Sequence, residues 1–502
     1  MLRRTLSLIS ASFIGLAAFS QPGAPDNGFA GDGTVVFGNG DDYLFSSDLF
    51  VRPNGNIVII GSRVELEPTV QNMAFSEFDT DGILVDQGFF GAPGREHFSK
   101  AAALQADGKF ILAGYSFPTG DDTDASIELM RIDATGALDE TFGDNGVVLT
   151  DVPNGSEGAF DVSILPNGKI IVAGSFFDGG TSELVLAQYL ANGALDAAGF
   201  GSDGLAFSTL GTFTDVDQLV VTASGNVLVS GMTFTDTDAP YIMGFLPNGN
   251  INTAFGDQGL VIANTEAGYA YSTSIALEAT GTVLLGVNTD PYEIHRFTST
   301  GQPGTGLGTS GSMVSGDFID PDQVIRVLAQ PDGRILVGYT TNDALWQVER
   351  RLANGQADGT FQSFTSPNGP VYFSSLALQP DGKVLVGGDG SVNLVRAFAV
   401  TRLLNELTVG LTDLDLDPST TLVYPNPLTD EARFTFTVAQ PAAISLLLTD
   451  VQGRIVRTFT SNSTLQAGDH TQVLDLRGLA SGAYQVVLMQ GDMRTAVQVV
   501  KD

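Results

Sequence analysis

Leu378-Gln379-Pro380-Asp381-Gly382-Lys383-Val384-Leu385-Val386-Gly387-Gly388 decides the fold of this chain. An apolar run enters a Pro-Asp-Gly turn and leaves as a second apolar run. Asp-Gly tolerates the positive φ of a tight turn, so the stretch predicts a β-hairpin. The same turn occurs seven times, with glycines at Gly55, Gly108, Gly168, Gly225, Gly281, Gly333 and Gly382. Their separations are 53, 60, 57, 56, 52 and 49 residues. A period of this size marks a repeat architecture. The glycine after each outgoing strand, such as Gly114 or Gly174, predicts a close backbone approach or a strand end.

A second phrase alternates with the first: Ile132-Asp133-Ala134-Thr135-Gly136-Ala137-Leu138-Asp139, followed by Phe142-Gly143-Asp144-Asn145-Gly146. It returns at Asn192–Gly204 and Asn248–Gly259, and in weaker form at Asp81-Gly82, Thr300-Gly301 and Asn354-Gly355. Each unit therefore carries about four short strands, and seven such units predict a seven-bladed β-propeller. The seventh unit stops near Leu403 without its Phe-Gly phrase, while Asp26-Asn27-Gly28-Phe29-Ala30-Gly31-Asp32-Gly33 stands alone near the N-terminus. An N-terminal strand that completes the last blade would leave no open sheet edge. An open solenoid is the alternative, since solenoids also repeat.

These phrases resemble the delta-60 repeat family of bacterial propeller-like proteins, over roughly residues 25–403. The fifth unit departs most, with Thr280-Gly281-Thr282 and a glycine-rich 301–311. The resemblance implies a fold and no chemistry.

The two ends predict an export route. Residues 1–20 read as a secretory signal, with Arg3-Arg4, an apolar stretch from Leu6 to Phe19 and small residues before Gln21. Residues 21–404 are the propeller and 405–420 an acidic linker around Asp413, Asp415 and Asp417. Residues 421–502 lose the period and alternate as about seven short strands, which predicts a small immunoglobulin-like β-sandwich. This segment resembles the type A sorting domain of the type IX secretion system of Bacteroidota. The matching residues are Tyr424-Pro425-Asn426-Pro427, Gly453-Arg454, Gly482 with Tyr484, and the terminal Lys501. The resemblance implies Sec export, recognition of this domain by the type IX machinery, and release outside the cell or display on its surface.

Composition narrows the function. Lys and Arg number 23 against 57 Asp and Glu, a net charge of −34 that repels phosphate backbones and anionic membranes, so no nucleic-acid partner is expected. There is no cysteine, so an exported fold must rest on its apolar cores and no thiol can act as nucleophile. No other stretch is long and apolar enough for a membrane span. The three histidines, His97, His295 and His470, lie far apart without metal-ligand spacing, and His97 and His295 read as surface-loop residues. Asp79-Thr80-Asp81-Gly82 and Gly120-Asp121-Asp122-Thr123-Asp124 hint at calcium loops but lack the Glu that an EF-hand loop requires. No cofactor is expected, a structural calcium at most.

The residue seven before each turn glycine is Asp48, Ala101, Asp161, Gln218, Ser274, Arg326 and Ser375; the next is apolar throughout, from Leu49 to Leu376. Strand alternation then predicts a polar ring facing the axis beside an apolar ring packed between blades. Asp48, Asp161, Gln218, Ser274, Arg326 and Ser375 are the candidate ligand site. The reading is a non-enzymatic extracellular module for a glycan or protein. A carbohydrate-active hydrolase or lyase using Asp48 and Asp161 is the rival, and a passive surface-layer protein is a third reading.

Overall fold

The computed structural model describes residues 21–502 except 67–68, 153–154, 235–237, 267–268, 318, 321–322, 367–371, 406–421, 425–430, 439–441, 451–454, 478, 480–481, 491–492 and 502. The expected signal segment and linker lie outside the described residues, apart from Asn405 at the linker's start. The described chain is all-β.

Seven antiparallel sheets follow one another, here called blades 1 to 7: residues 43–90, 95–150, 156–208, 213–262, 270–314, 325–365, and 372–403 completed by Thr34–Phe37. Blade 4 differs in that its inner edge is split into Phe213–Thr214 and Gln218–Val221. Each turn glycine takes the left-handed conformation the hairpin demands; Gly382 has φ +90°, and its N–H donates to the Gln379 carbonyl at 2.9 Å.

The apolar cores lie between blades. Seven buried clusters each draw side chains from two neighbouring sheets. The cluster holding Ile111, Leu129, Val172 and Val185 joins blades 2 and 3; the one holding Leu49, Ile59, Leu385 and Phe398 joins blade 1 to blade 7. The ring is therefore closed rather than solenoidal. Closure uses the N-terminal segment: Thr34–Phe37 pairs antiparallel with Val395–Leu403, Thr34 opposite Thr401 and Phe37 opposite Phe398.

The second phrase also has a mechanical role. Its phenylalanine is buried at the seam, and the residue after it donates a backbone hydrogen bond to the second turn of the next blade. Gly143 N reaches Asn192 O, Gly201 N reaches Asn248 O and Gly256 N reaches Thr300 O, each at 2.9 Å; Ala30 N reaches Asp81 O at 2.8 Å. All repeated turns thus share one face of the propeller, and the variable connections 117–126 and 176–183 join second to third strands on the opposite face, while the middle of 233–240 lies outside the described residues.

Residues 422–501 form seven strands in two sheets over one core that includes Phe434, Leu446, Leu474 and Val486. Tyr484 and Lys501 are buried, and Lys501 is the register partner of exposed Gly482. Tyr424 lies in the strand Leu422–Tyr424; Pro425, Asn426, Pro427, Gly453 and Arg454 lie outside the described residues.

Candidate functional site

The innermost strands are bulged. In blades 1, 2, 3 and 7 the register skips Ser47, Lys100, Phe160 and Ser374, opposite the glycine that follows the turn. That glycine is required: a Cβ on Gly114 would stand 1.7 Å from the Phe98 carbonyl, and on Gly174 2.0 Å from the Gly158 carbonyl. A bulge re-aims the extra side chain, and these four, with Asp217 at the same place in blade 4, line a funnel at one end of the axis. Its volume is about 550 Å³, with Phe45, Phe98, Phe160 and Tyr372 among its walls. This ring lies one residue before the one expected, and its signal was the glycine on the second strand rather than anything on the first.

The expected ring divides. Asp48, Gln218, Arg326 and Ser375 line a second cavity of about 320 Å³ further along the axis. Asp48, Asp161, Gln218 and Arg326 are partly accessible, while Ser274 and Ser375 are buried in the wall. The expectation that Ser274 faces the channel is corrected; Ser375, though buried, lines the second cavity. Ser274 Oγ accepts from Val327 N at 3.0 Å, turned sideways into the seam. The same link recurs at other seams: Asp161 Oδ2 accepts from Leu219 N at 2.7 Å, Gln218 Oε1 from Ile275 N at 3.2 Å and Asp48 Oδ2 from Ala102 N at 3.4 Å. Ala101 has no acceptor and Arg326 only donors, so the belt is incomplete. The neighbouring apolar ring packs between blades as expected, Leu49, Ala102, Val162, Leu219, Ile275 and Val327 all being buried.

Enclosure dominates the electrostatics. Burial raises the Asp48 carboxyl to about 6, against its own amide hydrogen bond to Leu49 and the charge of Arg326. Burial, aided by the Asp48 charge, raises Asp161 to about 7, and burial raises Asp217 to about 6 despite two bonds from Thr273. Burial lowers Arg326, opposed by Asp48, Asp161 and Asp217, so these four groups share one field. Lys100 sits at the funnel near the rings of Tyr115 and Phe160, 5.6 and 6.0 Å from their centroids. Part of its surface meets solvent, yet the surrounding protein strips enough water from the ammonium to lower it.

The histidine expectation is overturned. His97 and His295 are buried in strands, paired with carboxylates brought close by the sheet. His97 Nδ1 is 2.7 Å from Glu128 Oε2 and His295 Nε2 is 3.0 Å from Glu293 Oε2. Burial pulls His97 down, but the hydrogen bond and charge of Glu128 outweigh it and the net direction is up. Strand alternation around His97 carried no sign of a partner 31 residues away. His470 stacks on Phe436 at 5.6 Å in the sandwich. The two acidic loops are Asx turns: Asp79 Oδ1 accepts from Asp81 N and Ile83 N, and Asp121 Oδ1 from Thr123.

Comparison with known proteins agrees with this architecture. Residues 105–142, 165–198 and 379–409 match the family described as "Domain of unknown function (DUF5122) beta-propeller". Residues 422–502 match the "Secretion system C-terminal sorting domain". No curated protein matches. Among solved structures, a protein of unknown function from Bacteroides caccae is similar at 12% identity, covering 58% of this chain and 90% of that one, with a TM-score of 0.35. The β-propeller domain of the Trilobed protease from Pyrococcus furiosus is similar at 8% identity, covering 72% and 94%, with a TM-score of 0.39. The chain is a β-propeller protein ending in a secretion-system sorting domain, which sends it through type IX secretion to the cell surface or beyond.

Proposed function

We propose that the exported propeller is a non-enzymatic binding module whose ligand, a glycan carrying a carboxylate, enters the axial funnel. The observation that carries this reading is the funnel's wall: the aromatic side chains of Phe45, Phe98, Phe160 and Tyr372 beside Lys100. Aromatic faces stack on the apolar side of a sugar ring. Lys100 has no carboxylate partner among the described residues, in a chain where acids outnumber bases by 57 to 23. An unneutralised cation there favours an acidic ligand. Rigid sheets carrying variable connections on that face suit recognition.

The carboxylates offer less to catalysis. Asp48 and Asp161 each accept from two backbone amides, Oδ1 from the next residue of its own strand and Oδ2 from the next blade. A carboxylate tethered at both oxygens is held as part of the wall and is less free to reorient toward a substrate proton.

The test is a screen of acidic and neutral polysaccharides on the mature chain, reading binding and released product together. Binding of uronic-acid polymers, weakened at least tenfold in Lys100→Ala without product, is the expected result. Released sugar would transfer the reading to an enzyme, and silence throughout would end it.

A further inference from the structure

Between the outer halves of blades 1 and 2 lies a third cavity, which shares no lining residue with the axial funnel. Its volume is about 630 Å³, within the range of small-molecule sites. Phe90, Met130, Leu138 and Val147 contribute its apolar walls, and Phe89 and Leu149 form exposed lips, 38% and 47% accessible. The arrangement follows from the sheet. Glu128 and Met130 alternate onto one face of Ser126–Ile132, with Leu149 and Val147 as their cross-strand partners.

Glu128 is the anomaly in this apolar wall. It is fully buried, Oε2 is engaged by His97, and Oε1 has no hydrogen-bond partner among the described residues. His97 is itself held from behind, its Nε2 lying 2.8 Å from Ala92 N and 3.1 Å from Ala92 O. Neither protonation state of the imidazole frees a donor for Oε1. The equivalent carboxylate of blade 5 shows how such a group can be satisfied: Glu293 Oε1 accepts from the loop amide of Glu266 at 2.8 Å. Blade 2 has the carboxylate, a cavity, and no such loop amide among the described residues. A buried acceptor without a donor is a standing penalty that an incoming donor removes.

We propose that this cleft binds a small apolar alcohol, its hydrocarbon body against Phe90, Met130 and Val147 and its hydroxyl donating to Glu128 Oε1. A neutral donor is favoured over an ammonium because the Glu128 carboxylate is already paired with His97, and because Arg95, fixed by Ser116 through Nε at 2.9 Å and Nη2 at 2.7 Å, offsets Asp144 on the same wall. The assignment is independent of the axial funnel.

The experiment is calorimetric titration of the mature chain with 2-phenylethanol, ethylbenzene and 2-phenylethylamine, with a 2-phenylethanol crystal soak to locate the site. The alcohol should bind saturably and at least tenfold more tightly than ethylbenzene, with the amine between them. Glu128→Gln, its fold checked by circular dichroism, should weaken the alcohol at least fivefold and leave ethylbenzene unchanged. If that variant does not fold, Leu149→Trp, on an exposed lip, should weaken all three probes. Equal binding of alcohol and ethylbenzene, tighter binding of the amine, density outside the cleft, or no saturable binding would overturn the proposal.

Discussion

The seam between blades 2 and 3 and the seam that closes the ring are built from the same parts. In the first, Arg131 Nε meets Asp139 at 2.8 Å, its guanidinium covers Phe142 at 4.6 Å, and Nη1 reaches Ala191 O at 2.7 Å. In the second, Arg402 Nε meets Asp26 at 2.8 Å, covers Phe29 at 4.8 Å, and Nη1 reaches Thr80 O at 2.6 Å. A lysine adds to each, Lys109 to Asp139 and Lys383 to Asp26. The contacts agree to within a few tenths of an ångström. What differs is the chain: Arg131 and Asp139 are eight residues apart, Arg402 and Asp26 are 376 apart. The interior latch is nearly made once its strand pair forms. The closing latch ties both ends of the propeller together and must overcome the entropy of that large loop. Identical local chemistry therefore does two jobs, packing in one seam and topological closure in the other.

Removal of residues 21–37 separates those jobs most sharply. It takes away Phe29 and the strand Thr34–Phe37, leaving Val395–Leu403 as an unpaired edge. The expected outcome is loss of the single cooperative melting transition of the propeller, with self-association visible in size-exclusion chromatography. A monomeric, cooperatively melting product would mean that the interior seams suffice.

Phe29→Ala and Phe142→Ala test the seams by one residue each. Both rings are fully buried, so each loss is expected to cost about 3–5 kcal/mol. Its distribution should differ. Hydrogen exchange after Phe142→Ala should quicken across blades 2 and 3, whereas Phe29→Ala should release the amides of Thr34–Phe37 and their partners first. Identical exchange maps would remove the distinction between packing and closure.

The axial carboxylates give a pH test that leaves both latches intact. Asp48, Asp161 and Asp217 bind their protons more tightly folded, near 6 to 7, than at the ordinary value of 3.8. Stability from this source is fully present below pH 3.8 and is lost as pH rises through that window. Each tenfold gain in proton affinity on folding contributes roughly 1.4 kcal/mol at most. The raised His97 acts in the same direction. The melting temperature should therefore fall between pH 5 and pH 8. Asp161→Asn should make that fall shallower, whatever it does to the absolute value by breaking one of two amide bonds. An unchanged slope would show that Asp161 ionises in the folded channel without penalty.

The smallest effects belong to the lysines. Lys109 and Lys383 are part-exposed partners of carboxylates already held by arginine, so alanine at either should cost less than about 1 kcal/mol in chemical denaturation. A larger loss at Lys383 alone would show that closure depends on charge as well as on the Phe29 core.

Legibility in the sequence followed the range of the interaction. Turns, strand pairs, the seven units and the N-terminal phrase that completes the last of them were readable because each is a local pattern that repeats. The polar axial ring was readable in part, since alternation assigns a face to Asp48 and Asp161. It misplaced Ser274, whose hydroxyl turns into the seam toward Val327, and it missed the ring one residue earlier, because the bulge that aims Lys100 or Phe160 lies opposite Gly114 or Gly174 on the adjoining strand. The burial of His97 and His295 was not readable, since their surroundings come from neighbouring strands and the next blade.

Residue order alone was enough to specify a repeated four-strand unit, a closing strand at the N-terminus and a sorting domain at the C-terminus, because turn chemistry and alternation act within a few residues. Which side chains enter the funnel, which carboxylates lose their solvent and which are tied across seams emerged only when the blades came together. Those outcomes depend on how close separate strands come, and that distance is set by packing around the whole ring.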